Sequence, residues 1–387
     1  MRIGIFIELY RPYLSGVVVS IELLAKELLE RGHQVFILTP EVQGYKDTSD
    51  FKVVRLPSFR FFGKRFAVPF LSKRVKKKVK ELDLDLIHIQ GPYPTGFLGI
   101  KLAQGLGLPI LMTYHAHVLF YLKTWANIWN WPLSFIARIM TLWIIRWTSK
   151  HCQLIIAPSH FIKNVLRGYG IKTQIEVLPT GIKPFSLKSA PLSRSQLGLP
   201  REGKILIYVG RLAKEKNLKM LILAFEEVLK ARKDVFLVLV GDGHFRPILE
   251  KTVKRKKLED WVFFLGEKPH GEIGSILKVS DVFAFSSLSE TQGLAVAEAM
   301  AVGLPVVVVG EGGALEFIDN KENGLVVPNL PKEFASAILS IIGSSDLASF
   351  LGQNAQKKVI ALRPEVVYQE IEGLYSQLTK EFIPVRK

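Results

Sequence analysis

The chain has 387 residues, enough for about two domains, with 48% of them apolar, 22% charged and a formal net charge of +17. That composition excludes a disordered, collagenous or disulfide-stapled chain, and the single cysteine, Cys152, permits no internal disulfide and suits a reducing compartment. The start, "MRIGIFIELYRP", enters a strand-like run rather than a secretion signal, and no uninterrupted apolar run of about 18 residues is present to span a bilayer.

The charge is uneven. Residues 1–180 hold 24 Lys and Arg against 11 Asp and Glu, whereas residues 181–387 hold 28 against 24. The first half is therefore expected to face something negative.

In chain order, "RIGIFI" reads as a strand buried on both faces, followed by "RPYLSG" and an amphipathic helix over Val17 to Arg31 with Gly32 placed as its cap. Gly16 opens that helix, where a backbone without Cβ allows close approach to a ligand. No Gly-x-Gly-x-x-Gly fingerprint supports a dinucleotide cofactor. The runs "QVFIL" and "KVVRL" are the next strands.

Phe59 to Lys80 then carries nine Lys and Arg, five Phe and no acid. Cations of this density suit anionic headgroups, so Lys64, Arg65, Lys73, Arg74, Lys76, Lys77, Lys78 and Lys80 are candidate membrane contacts. The plain alternative is a solvated basic face. Asp83 and Asp85 in "LDLDL" fall before the strand "LIHIQ", at the end away from ligands, and are read as structural. "PILMTYH" is a strand ending on His115, at the edge where α/β sheets bind ligands. His117 shares its face, but without a third ligand nearby a zinc site is rejected. Trp125 to Trp147 holds five of the six tryptophans together with Pro132, Arg138 and Arg146. Such a segment suits lying in an interface, through Trp125, Trp129 and Trp131, more than spanning one; the competing reading is a buried core helix. A nucleic-acid partner would also fit the basic charge, but no motif for one is present.

After "QLIIAP", "IEVLPTGIKP" and a polar stretch to about Arg201, the alternation restarts with "KILIYVG", "VFLVLVG", "WVFFLG", "DVFAFSS", "PVVVVG" and "NGLVVP". Repeated β-α-β units imply two doubly wound parallel sheets, with a small-molecule site expected in the cleft between them. In "YVGRLAKEKNL", Arg211 and Lys216 lie in the first strand-to-helix loop of the second half, within reach of a diphosphate. In "SETQGLAVAEAMAVG", Glu290 falls in a loop and Glu298 inside the following helix. Eight helical rises separate them by at most about 12 Å, and a helix N-terminus suited to phosphate lies between. A nucleotide diphosphate-sugar has that layout: polyol, diphosphate, polyol. A loop acid and a wetted helix position are the plain alternative.

Taken together, Gly16, "TYH" at His115, "YVGRLAKEKN", "LVGDG" and the Glu-x7-Glu pair resemble the retaining GT-B glycosyltransferases over nearly the whole chain. "MRIGIFIELYRPYLSGVVVSIELL", "IEVLPTGI" and "SETQGL" resemble the bacterial diacylglycerol glucosyltransferases most. The segment after "TYH" departs from that subgroup, being aromatic and free of acids. The resemblance implies an α/β GT-B fold of two Rossmann-like domains. Residues 1–183 would take the acceptor and dock on a membrane, 184–360 would bind the nucleotide-sugar, and 361–387 would form a helix returning to the first domain. It implies that Glu290, Gln292, Gly293 and Leu294 hold the donor sugar and phosphate, Glu298 the ribose, and Arg211 and Lys216 the diphosphate. Gly16 would approach the phosphate, and His115 would act with Glu290 beside the sugar.

The implied activity is transfer of a hexose, glucose first, from a UDP-sugar to a lipid such as diacylglycerol with retention, needing no metal or other cofactor. The enzyme would be peripheral on the cytoplasmic face of the membrane. Rival readings are a soluble GT-B enzyme acting on a sugar or small metabolite, a non-catalytic adaptor, and a nucleotide-sugar epimerase.

Overall fold

In the computed structural model, residues 1–13, 15–47, 51–61, 66–115, 132–182 and 192–382 are described. Lys64, Arg65, His117, Trp125, Trp129 and Trp131 lie outside these residues. The chain divides into two units, Met1–Gly181 with Pro364–Lys387, and Ile182–Arg363.

The first unit is built on strands β1 (Arg2–Phe6), β2 (Gln34–Pro40), β3 (Lys52–Leu56), β4 (Ser58–Phe61), β5 (Phe66–Pro69), β6 (Leu86–Ile89), β7 (Ile110–Thr113), β8 (Leu154–Ala157) and β9 (Gln174–Val177). Seven of them form one parallel sheet in the order β3-β2-β1-β6-β7-β8-β9, while β4 and β5 make a separate antiparallel hairpin. Alternation along each strand separates two cores. Ile3, Ile5, Val35 and Ile37 face one side with Val18 and Ile21 of the helix Gly16–Glu30. Phe6, Phe36, Leu38 and Ile89 face the other, with Leu98 and Leu102 of the helix Pro94–Leu106. Both faces are covered, as a parallel sheet requires. Strand β9 and the hairpin were not evident from the sequence, because each of these strands is only four residues long and none is a continuous run of β-branched residues.

The helix Pro364–Glu381 belongs to this first unit and lays Tyr368, Ile371 and Tyr375 into the core beside Val18 and Ile21. Polar contacts fix its register. His88, fully buried on β6, lies 2.7 Å by Nδ1 from the Tyr375 hydroxyl and 2.7 Å by Nε2 from Thr113 Oγ1. Burial pushes the His88 imidazole down to about 3 from its ordinary 6.5. Because the folded value lies below the unfolded one, the unfolded chain binds more protons between them. Stability is therefore full above about pH 6.5 and is lost as pH falls toward 3. Between pH 7 and 5 this group alone is expected to remove about 2 kcal/mol. Urea unfolding at both pH values checks this: His88→Gln should lose about that much less than the wild type. Equal losses would refute it.

The second unit holds β10 (Lys204–Val209), β11 (Val235–Val240), β12 (Val262–Gly266), β13 (Val282–Phe285), β14 (Val306–Val309) and β15 (Leu325–Val327), all parallel, in the order β12-β11-β10-β13-β14-β15. The order reverses between β10 and β13, so the loops leaving these two strands diverge and leave a crevice at their carboxyl ends.

Candidate functional site

At that switch point, backbone crowding sets the geometry first. Gly210 and Gly241 end β10 and β11 with φ of +150° and +128°, and a Cβ on Gly241 would stand 2.0 Å from the Gly210 carbonyl oxygen. No other residue fits there. The chain then enters the short 3₁₀ turn Lys214–Lys216, whose last carbonyl accepts a 2.9 Å hydrogen bond from Ser286 Oγ at the end of β13. This bond ties the loop carrying Lys216 to the strand that leads to Glu290.

Lys216 Nζ donates to Glu290 Oε1. The two side chains are 14% and 16% exposed, so the pair is largely sheltered but open on one side. Glu290 is held from behind, its carbonyl accepting a 2.7 Å bond from the Gly313 amide. Arg211 Nη2 donates to Glu215 Oε1 at 2.7 Å; Glu215 is buried and Arg211 half-exposed, so a carboxylate beneath aims the guanidinium outward. Glu215 was not singled out from the sequence, since one acid among lysines reads as a solvated loop residue. Tyr208, buried below, donates to the Arg211 carbonyl at 3.2 Å, and burial together with the Glu290 charge raises its phenol.

The helix Leu294–Ala301 begins after Gly293, which sits at φ +81° with its α-carbon so close to Ala314 that a Cβ would come within 2.5 Å. Leu294 is the first helical residue, and Gln292, just before the turn, is buried. The first amides of such a helix have no partner within it and carry the positive end of its dipole. Glu298, on the same helix, is 18% exposed and accepts from His270 Nε2 at 3.0 Å. Its surroundings are neither bare solvent nor an unmet charge: a half-exposed histidine from the helix His270–Lys278 already holds one oxygen. The second unit thus brings together Arg211, Lys216, Glu290, Gln292, Gly293, Leu294 and Glu298. Chemically, this is a set of cations and helix-start amides flanked by two acceptors suited to hydroxyl groups.

In the first unit, His115 follows β7 and lies 2.7 Å by Nε2 from Gln90 Oε1, at the end of neighbouring β6. Burial pushes its imidazole down to about 4, so the ring is neutral at pH 7. Glu8, past the end of β1, accepts from both the amide and hydroxyl of Thr95, at 2.9 and 2.6 Å. Desolvation nevertheless raises its carboxyl. Gly16 starts its helix beside the cap Ser15, whose Oγ accepts from the Val18 amide. Glu8 and Gln90 escaped the sequence reading, because each stands alone in an apolar strand end. Asp85 accepts from the Arg2 amide at 2.7 Å, which is the structural role expected for it.

Two surfaces of the first unit are unusual. The helix Lys73–Lys80, capped by Ser72, buries only Val75 and Val79, leaving Lys73, Arg74, Lys76, Lys77, Lys78 and Lys80 exposed. The helix Pro132–Lys150 turns Phe135, Ile136, Ile139, Met140 and Trp143 outward, each at least half exposed, at a spacing that forms one stripe. Both helices touch the helix Pro94–Leu106. Trp147 follows the alternative of a core helix: it stacks on Phe97 at 4.8 Å, with Lys101 over its ring. The helix Pro132–Lys150 is part stripe and part core because its last two turns bury Ile145, Thr148 and Ser149. Among the described residues no single helix is long and apolar enough to cross a membrane.

Comparison with known proteins identifies both halves. The model of "Glycosyltransferase Family 4" matches residues 14–184, and that of "Glycosyl transferases group 1" matches 189–358. An alpha-monoglucosyldiacylglycerol synthase of Streptococcus pneumoniae is 32% identical over 90% of this chain and 80% of its own length. The protein of that name from Acholeplasma laidlawii is 30% identical over 98% and 97%. Among solved structures, sucrose-phosphate synthase from Thermosynechococcus elongatus superposes with a TM-score of 0.83 at 23% identity, covering 98% of this chain and 99% of its own. Anabaena HepE in complex with UDP and glucose gives 0.77 at 21%, covering 97% and 99%. The chain belongs to the group 1 glycosyltransferases of GT-B fold and is a hexosyltransferase.

Proposed function

We infer that the enzyme moves glucose from UDP-glucose to diacylglycerol in an anionic membrane, with retention of the α configuration. The observation that carries the donor half is the Lys216–Glu290 pair standing in the loops before the helix Leu294–Ala301, whose N-terminus has no side-chain cap. The likeness to two alpha-monoglucosyldiacylglycerol synthases supports the acceptor, as do the apolar stripe and the basic helix on the first unit.

On this reading Arg211, Lys216 and the amides of Gln292, Gly293 and Leu294 bind the diphosphate, and the resemblance adds Gly16 as a phosphate contact. Glu298 takes the ribose hydroxyls. Glu290 accepts from the sugar hydroxyls, and neutral His115 offers a hydrogen bond without adding charge. As the glycosidic bond to phosphate breaks, negative charge grows on the leaving UDP. On this reading Arg211 and Lys216 stabilise that charge more in the transition state than in the bound donor. The acceptor hydroxyl attacks from the same face and its proton passes to the leaving phosphate, with no metal or other cofactor in the proposed step. The enzyme would act as a peripheral protein at the inner membrane face.

Transfer of labelled glucose from UDP-glucose, with diacylglycerol in anionic mixed micelles or in buffer alone, tests the proposal. Label should enter the organic phase only when lipid is present. Label retained by UDP in both conditions, with UDP still bound, would overturn the lipid acceptor.

A further inference from the structure

We propose that His270 is the positioning residue of the ribose site: its ring N–H holds one oxygen of Glu298 so that the carboxylate is presented to the vicinal hydroxyls of a bound nucleoside. This rests on the reading of Glu298 as the ribose ligand and deepens it.

A glutamate on a helix has three side-chain torsions, and a carboxylate that must meet two hydroxyls in a fixed plane loses them on binding. Glu298 has most of its surface covered, yet it lies in the helix Leu294–Ala301 without a basic neighbour on that helix. The contact comes from elsewhere in the sheet. His270 is the first residue of the helix that follows β12, whereas Glu298 follows β13, and β11 and β10 stand between those strands. Two helices from distant strands are thus joined by one 3.0 Å bond onto the group that would read the sugar. Each carboxylate oxygen has more than one lone pair, so Oε1 can take the imidazole and a hydroxyl together while Oε2 takes the second hydroxyl. Holding the carboxylate beforehand removes an ordering cost from donor binding, which is what preorganisation means for affinity.

A purely structural His270–Glu298 bridge between two helices would change stability and nothing else. A positioning role changes the enzyme's ability to tell a ribose from a deoxyribose. The experiment is calorimetric binding of UDP and 2′-deoxy-UDP to the full chain and to two variants, His270→Ala and His270→Gln. The wild type should prefer UDP by about tenfold, the size expected for a hydroxyl bonded to a carboxylate. In His270→Ala the preference should shrink to about twofold or less, with KM for UDP-glucose raised and kcat little changed. In His270→Gln, whose amide N–H can replace the ring N–H, most of the preference should return. Because His270 is half-exposed, neither variant threatens the fold. A wild type that discriminates and a His270→Ala that discriminates equally well would overturn the inference alone. A wild type with no preference would overturn the Glu298 assignment beneath it, and the inference with it.

Discussion

Glu290→Ala should reduce sugar transfer by about a thousandfold or more while leaving UDP binding intact or slightly tighter. Two losses add in transfer. A carboxylate bonded to sugar hydroxyls contributes about 1.5–3 kcal/mol per bond to a charged group, and the donor sugar offers at least two. In the transition state those bonds orient the reacting carbon, so their loss falls on kcat. UDP binding moves the other way for an electrostatic reason. In the free protein Lys216 donates to Glu290, and this pair must open or share before Lys216 serves a diphosphate. Removing the acid frees the lysine and removes a negative charge from the phosphate's path. Lys216→Ala is the mirror case. It leaves Glu290, 16% exposed, uncompensated beside an anionic ligand, so UDP affinity should fall by about tenfold or more. Calorimetry with UDP and a transfer assay on the same preparations separate these outcomes. Loss of both binding and transfer in Glu290→Ala would mean that the Glu290 side chain supports the loop through its bond with Lys216 rather than serving the sugar.

Much of this architecture could be read in the sequence because parallel strands buried on both faces announce themselves. "VFLVLVG" and "PVVVVG" have few other fates, and all six strand candidates of the second half appear as β10 to β15. The residues that aim the site were less visible. Glu215, His270, Glu8 and Gln90 act through contacts with residues distant in sequence or around a turn, and no spacing rule reaches them. His270 lies 28 residues from Glu298. Glu215 reads as one charge in "AKEKN", and only its burial under Arg211 shows that it directs a guanidinium. The hairpin β4–β5 was hidden for a different reason. Its two strands are only four residues each and lie in a basic, Phe-rich stretch, so composition pointed to a surface while the backbone still paired. The tryptophan-rich segment divided for a third reason. A helix with apolar residues on more than one face cannot reveal which face is covered until Trp147 is seen stacked on Phe97 and Trp143 is seen exposed.

The exposed stripe leads to the second large effect. Replacing Phe135, Ile139 and Trp143 together by serine should weaken binding to anionic vesicles by about a hundredfold or more. Full burial of one such side chain is worth about 1.5–3 kcal/mol, and even partial insertion of three exceeds the 2.7 kcal/mol or so that a hundredfold requires. Folding should survive, because these three side chains already face outward. The helix Lys73–Lys80 is expected to act by a separate physical route. Its six exposed cations attract anionic headgroups at about 1 kcal/mol each near the surface, and salt at about 1 M shortens the range of that attraction to about 3 Å. The two variants should therefore fail differently. The stripe variant should bind anionic vesicles at low salt and be released by high salt. A variant with Lys73, Lys76, Lys77 and Lys80 changed to glutamate should lose its preference for anionic over neutral vesicles yet keep a weak, salt-resistant attachment. Sedimentation of both variants with vesicles of each charge, at low and high salt, distinguishes the two contributions. If the stripe variant sediments like the wild type at high salt, the apolar face does not enter the membrane, and any attachment to vesicles rests on the basic helix alone.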